Sequence, residues 1–123
     1  MKIQKKNRKF FDGIKKNIVM KNVAKIFLKK NEHITFSTND NKEYDFSKKD
    51  WGFYGTPSLN NRLKKFGYEA ALVKNKNFGG KYTVLIVENT KKKLFNKYIK
   101  TEGMNIICWL NISNLKKIEK YFK

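Results

Sequence analysis

Few side chains in this sequence have the spacing that acid–base, metal or covalent chemistry requires. His33 is the one histidine; it sits beside Glu32, with no carboxylates spaced to make it a ligand or a general base. Glu43 and Asp45 lie two residues apart, so on a strand they share a face and could hold a metal together. No third acidic ligand is placed to complete that site, and two solvated carboxylates are the simpler reading. Ser58 follows Pro57 without a histidine partner, no nucleophile elbow or phosphate-cradling glycine pattern is present, and Gly79-Gly80 is a turn device. Cys108 is the one cysteine, which excludes an internal disulfide framework and a thiolate-rich zinc site; its place in an apolar run marks a buried structural thiol. The residues argue against an enzyme and imply neither metal nor cofactor.

Binding chemistry is better supplied. Thr56-Pro57-Ser58 has the form of a helix start, with Thr56 as N-cap and Pro57 at the first helical position. Such a start exposes backbone N–H groups and a positive dipole end, and Asn60, Asn61 and Arg62 follow within its first turns, so one phosphate, sulfate or carboxylate could sit there. Ordinary capping, with Arg62 paired to a carboxylate such as Asp50, is the alternative. Trp51, Phe53, Tyr54 and Tyr82 offer rings on which bases could stack, unless they form core. The chain holds 29 basic and 10 acidic residues, a net charge of +19. Only Arg8 and Arg62 are arginine, so an AT-rich coding sequence accounts for much of the lysine, but not for the scarcity of acid. A surplus of this size attracts polyanions. Lys91-Lys92-Lys93 and the lysines of the N-terminal region are the expected phosphate contacts.

These residues must be held by one domain of 123 residues. Residues 50–110 organise it. Leu59, Leu63 and Phe66 at helical spacing, closed by Gly67, predict a helix; Tyr68 to Lys74 and Lys81 to Glu88, separated by a polar turn, predict a β-hairpin. Asn89-Thr90 caps a second helix bearing Leu94, Phe95, Tyr98 and Ile99, and Met104 to Leu110 has the length of a buried strand. With Trp51 to Gly55 as a first strand, the order is that of an α+β ferredoxin-like βαββαβ plait, both helices on one face of a four-stranded sheet.

Around the plait, residues 1–9 form a disordered or frayed basic arm, with Phe10 and Phe11 docking its end. Over residues 14–30, Ile14, Ile18, Val19, Val23, Ile26 and Phe27 recur at three- and four-residue intervals among lysines, which predicts an amphipathic helix. Either it packs on the domain or it lies on an anionic membrane surface or nucleic acid; a strand over 22–28 competes with it. Alternation at Ile34, Phe36, Tyr44 and Phe46 around Asn39-Asp40-Asn41-Lys42 predicts a hairpin over 32–46, and 47–50 reads as a short connection. Ser113 caps a last helix over 113–122 with Leu115, Ile118, Tyr121 and Phe122 on its apolar side. No apolar stretch approaches the roughly 18 residues of a membrane span and no signal peptide is visible, so a cytosolic location is expected.

Three resemblances bear on function. Gly80-Lys81-Tyr82-Thr83-Val84-Leu85-Ile86-Val87 resembles the third strand of an RNA recognition motif, with Tyr82 at the position of a matching aromatic, which implies base stacking. Leu63-Lys64-Lys65-Phe66-Gly67-Tyr68-Glu69-Ala70 and Lys81-Tyr82-Thr83-Val84 are similar to the helix end and strands of a SPOR domain, a plait that binds peptidoglycan glycan strands. Trp51-Gly52-Phe53-Tyr54 through Arg62 resembles small bacterial proteins linked with surface-polysaccharide synthesis. The expectation is a small, basic, non-enzymatic binding module whose partner is nucleic acid, RNA first, held by lysines and an aromatic sheet face. A glycan-binding or accessory protein of envelope polysaccharide synthesis, and a protein-interaction module using the 14–30 helix, are the alternatives.

Overall fold

The computed structural model describes residues 1–123, the side chain of Phe78 excepted. It divides into two units, residues 1–56 and 57–123, and all of its sheets are antiparallel.

In the first unit, β1 (Lys2–Asp12) and β2 (Ile18–Phe27) form a two-stranded ribbon, while β3 (His33–Ser37), β4 (Glu43–Lys49) and β5 (Gly52–Gly55) form a three-stranded sheet in that order. Asp12-Gly13 begins the turn of the ribbon. Gly13 takes φ 89°, and the Lys16 N–H donates to its carbonyl at 3.0 Å; a residue without Cβ reaches this left-handed geometry without strain. The turn sets Phe10 opposite Met20 and Phe11 opposite Val19, cross-strand pairs of the kind that stabilise sheets.

The expected helix over 14–30 and the frayed arm over 1–9 are both overturned by this ribbon. Ile18, Val19, Val23 and Ile26 are β-branched and Phe27 is aromatic, so they lose rotamer freedom in a helix and suit a pleated surface. With a strand-forming partner one tight turn upstream, the pleated option wins.

The hairpin of β3 and β4 pairs Ile34 with Phe46 and Phe36 with Tyr44. β4 then runs on through Ser47, Lys48 and Lys49, which are strand rather than a connection. It turns back at Asp50-Trp51 into β5, placing Lys49 opposite Gly52 and Phe46 opposite Gly55. Thr56 follows the same hairpin: its N–H donates to the Asp45 carbonyl at 3.1 Å and its Oγ1 to Asp45 Oδ2 at 3.2 Å. It therefore caps no helix.

The second unit contains α1 (Arg62–Lys65), β6 (Tyr68–Asn75), β7 (Lys81–Glu88), α2 (Lys92–Thr101), β8 (Met104–Trp109) and α3 (Ile112–Phe122), with the sheet ordered β7-β6-β8. Ala71 and Val73 on β6 meet Ile99 of α2 in a buried core, with Leu85, Phe95, Met104, Ile106 and Trp109 packed around them. Phe95 and Trp109 pack edge to face at 5.7 Å. α3 is capped by Asn111 instead of Ser113, its side chain accepting from the Asn114 N–H at 3.0 Å.

The βαββαβ plait is not formed. Its would-be first strand, β5, is paired with β4, and the sheet of the second unit has three strands without it. The physical reason is loop closure. β5 reaches β4 across a two-residue turn, whereas joining β7 and β8 requires a crossover through α1, and shorter closures cost less entropy.

Candidate nucleic-acid interface

The ribbon concentrates charge. Among the first 30 residues, eleven are basic and one, Asp12, is acidic. Register places Lys2 opposite Phe27, Gln4 opposite Lys25, Lys9 opposite Lys21 and Phe11 opposite Val19. Because β2 alternates, Val19, Lys21, Val23, Lys25 and Phe27 project from one face, and all five are exposed. The Lys2 and Lys25 ammonium groups lie 5.7 and 5.2 Å from the centre of the Phe27 ring, so cations and an aromatic surface occur together on that face. On the opposite face Arg8 stacks over Phe10 at 5.6 Å.

Lys9 and Lys21 face each other directly, an opposition that costs a ribbon stability unless an anion comes between. Among the described residues no ion pair takes Lys5, Lys6, Lys9 or Lys21. Their charge is therefore directed to solvent. At 0.15 M salt screening acts over about 8 Å, so closely spaced lysines add their fields on a chain of phosphates.

The residues singled out in the sequence fall in several places. Trp51, in the β4–β5 turn, is 71% exposed, and Phe53 and Tyr54 on β5 are 62% and 50% exposed. Tyr82, on β7, is 63% exposed and belongs to the other unit, so the expected shared platform of these rings on one plait sheet is not built. Each group nevertheless keeps a cation beside a ring: Lys48 lies over Phe53 at 5.5 Å and Lys74 over Tyr82 at 5.3 Å.

The proposed anion site at a helix start is not assembled. Ser58 Oγ accepts from the Arg62 N–H at 3.1 Å, Arg62 lies over Phe66 at 5.5 Å, Asn60 is in the loop before α1, and α1 is a single turn. Within the lysine triplet, Lys91 and Lys93 are exposed, while Lys92 is bound to Glu69 at 2.8 Å and lies over Trp109 at 4.4 Å.

One polar cluster was not legible from spacing. His33 Nδ1 is 2.6 Å from Ser47 Oγ, and its Nε2 is 3.8 Å from Asp45 Oδ1. Asp45 is 1% exposed and receives the Thr56 hydroxyl. The alternation of β4 puts Asp45 and Ser47 on one face and the register puts His33 opposite Ser47, so these residues tie β3, β4 and the end of β5 together. Glu43 shares the face with Asp45, but among the described residues no three potential ligands converge on a metal position. Nearby, hydrogen bonds from the N-terminal ammonium and the Lys29 N–H hold the half-exposed Glu32 carboxyl below its ordinary range, and burial against Phe46 raises the Tyr44 phenol.

No protein-family model, curated protein or solved structure matches this chain. The interface must be judged on its own chemistry. The lysines of this region were expected to contact phosphates, but from a frayed arm and a helix; Arg8, Phe11 and Phe27 carried no site assignment in the sequence, and the signal that could have found the ribbon is Asp12-Gly13 between two β-prone runs. Among the described residues no helix is long and apolar enough to cross a membrane.

Proposed function

We propose that the protein binds single-stranded nucleic acid, RNA foremost, through the β1–β2 ribbon. The observation that carries this reading is the exposed ribbon face on which Lys2, Lys9, Lys21 and Lys25 alternate with Phe11, Val19, Val23 and Phe27. Lysines contact phosphates without a bidentate preference and position the strand. Phe11 and Phe27 offer rings to bases, which are available for stacking only when unpaired. A phosphate between Lys9 and Lys21 removes their mutual repulsion, so binding also stabilises the ribbon. A partner of this kind places the protein in the cytoplasm.

The glycan reading is less well supported. Phe53 and Tyr82 each lie under a lysine, an arrangement better matched to an anionic strand than to a neutral sugar. The protein-interaction and membrane readings relied on a helix over 14–30, and those residues form strand and turn.

The test is binding of a short single-stranded RNA across a salt series, for the native chain and for Lys9→Gln/Lys21→Gln. The expected result is a steep linear dependence of log affinity on log salt, reduced in slope by about 0.7 in the double variant, since the two lysines share one phosphate and each phosphate neutralised on a single strand contributes about 0.7. An unchanged slope in the double variant removes the ribbon from the interface.

A further inference from the structure

The second unit has a recess of about 220 Å³ that the ribbon reading leaves unused. Its inner wall is a run of committed hydrogen bonds. Glu69 on β6 accepts from the Lys92 ammonium at 2.8 Å and from the Asn111 amide at 3.5 Å. Asn111 accepts from the Asn114 N–H, and the Asn114 amide donates to the Trp109 carbonyl at 2.7 Å. A wall ordered in this way loses little entropy when a ligand arrives.

The mouth is different in kind. Asn60, Lys64 and Asn89 line it, are exposed, and have no side-chain hydrogen bond among the described residues. Asn89 is held in place through its backbone, whose N–H donates to the Gly67 carbonyl at 2.8 Å. Tyr68 contributes a ring, and Leu59 and Ile112 contribute apolar sides. A second recess shares Asn60 and Ile112 and adds Lys116 and Glu119; that glutamate is paired with Lys123 at 3.6 Å.

The ligand class follows from these groups. Each carboxamide presents a donor and an acceptor side by side in one plane, the pattern that matches the edge of a nucleobase. The Tyr68 ring suits a flat partner. The Glu69 carboxylate is already neutralised by Lys92, which leaves Lys64 and Lys116 to attract an anion. The volume is below the roughly 300–1,000 Å³ of sites for drug-sized ligands, which fits one base and not two.

We propose that the Tyr68 recess is a nucleotide subsite, with a single base at Asn60 and Asn89 and its phosphate at Lys64. It rests on the recess alone and does not depend on the ribbon.

The test titrates the full chain with adenosine 5′-monophosphate, adenosine and ribose 5-phosphate, following the amide resonances of Tyr68, Glu69 and Asn89. The nucleotide should give saturable shifts centred on these residues. Asn60→Ala and Asn89→Ala should each weaken it about five-fold or more, the lower end of base-edge contacts. Lys64→Gln should weaken the nucleotide but not adenosine, and Lys9→Gln/Lys21→Gln should change neither. Shifts that fail to saturate, that ribose 5-phosphate reproduces at equal affinity, or that survive both asparagine variants overturn the proposal. A short oligonucleotide that competes for the same resonances identifies the natural source as a strand; one that binds without displacing the monophosphate identifies a free nucleotide.

Discussion

The β1–β2 ribbon and the β7-β6-β8 sheet are built from similar residues, yet they use them differently. Both are antiparallel, both carry lysines, and both expose aromatics. The sheet, however, has α2 against one face, and Ala71, Val73 and Ile99 are buried there. Part of its charge is also used internally, as Lys92 is by Glu69. The ribbon has no buried strand residue, and its Lys9 and Lys21 oppose one another. A two-stranded ribbon is marginally stable alone. The contrast separates a region whose residues are used in folding from one whose residues are left exposed to solvent.

The strongest way to break this comparison is to truncate both regions and measure both properties. Ile99→Ala should lower stability by about 2–4 kcal/mol, as large-to-small core changes do, while leaving RNA affinity of the folded fraction unchanged. Phe11→Ala should do the reverse, weakening RNA by about 1–3 kcal/mol with a stability change within about 0.5 kcal/mol. Thermal unfolding and anisotropy titrations read the two. Equal effects of both variants on stability would show that the ribbon is folded like a core element.

A smaller effect concerns the joint between β4 and β5. Thr56→Val removes a donor to the buried Asp45 carboxyl and should cost about 1–3 kcal/mol, read as a lower midpoint in urea with an unchanged slope. Smaller still is the effect of lysine opposition. Lys9→Gln should raise stability by a few tenths of a kcal/mol, since cross-strand pairs contribute about 0.2–1, and in the same sample lower RNA affinity. A loss of both would mean that Lys9 has a structural partner.

The smallest effect is one of pH. Glu32 has a lowered carboxyl in the folded chain, so its contribution to stability is complete above the ordinary carboxylate range and declines as pH falls through the lowered value. Glu32→Gln should flatten that part of the acid limb in a pH series of unfolding curves. No flattening would mean that the clamp of Glu32 on Met1 and Lys29 does not persist in solution.

Local pattern made several elements legible. Alternation at Ile34, Phe36, Tyr44 and Phe46 marked the β3–β4 hairpin, and the β-rich runs on either side of residues 75–80 marked β6 and β7. Helical spacing of Leu94, Phe95, Tyr98 and Ile99 marked α2. Helix starts were harder to place. Thr56 and Ser113 have good capping chemistry, but Thr56 is drawn to Asp45, and Asn111, two residues before Ser113, is the residue that caps α3. Over 14–30 the apolar spacing fits a helix while the residue types fit a strand, and only the partner strand β1 settles it.

The sequence by itself determined the charge surplus, the shortage of catalytic groups and the local hairpins, because composition and period-two alternation are properties of neighbouring residues. The tertiary structure alone decided which strand takes which partner. β5 joins β4 across two residues instead of inserting between β7 and β8, since the shorter closure costs less entropy. It also decided where charge is concentrated: a lysine's place in the chain does not say whether it will meet Glu69, as Lys92 does, or another lysine, as Lys9 does. Pairing across strands sets that, and with it which surface is left for a partner.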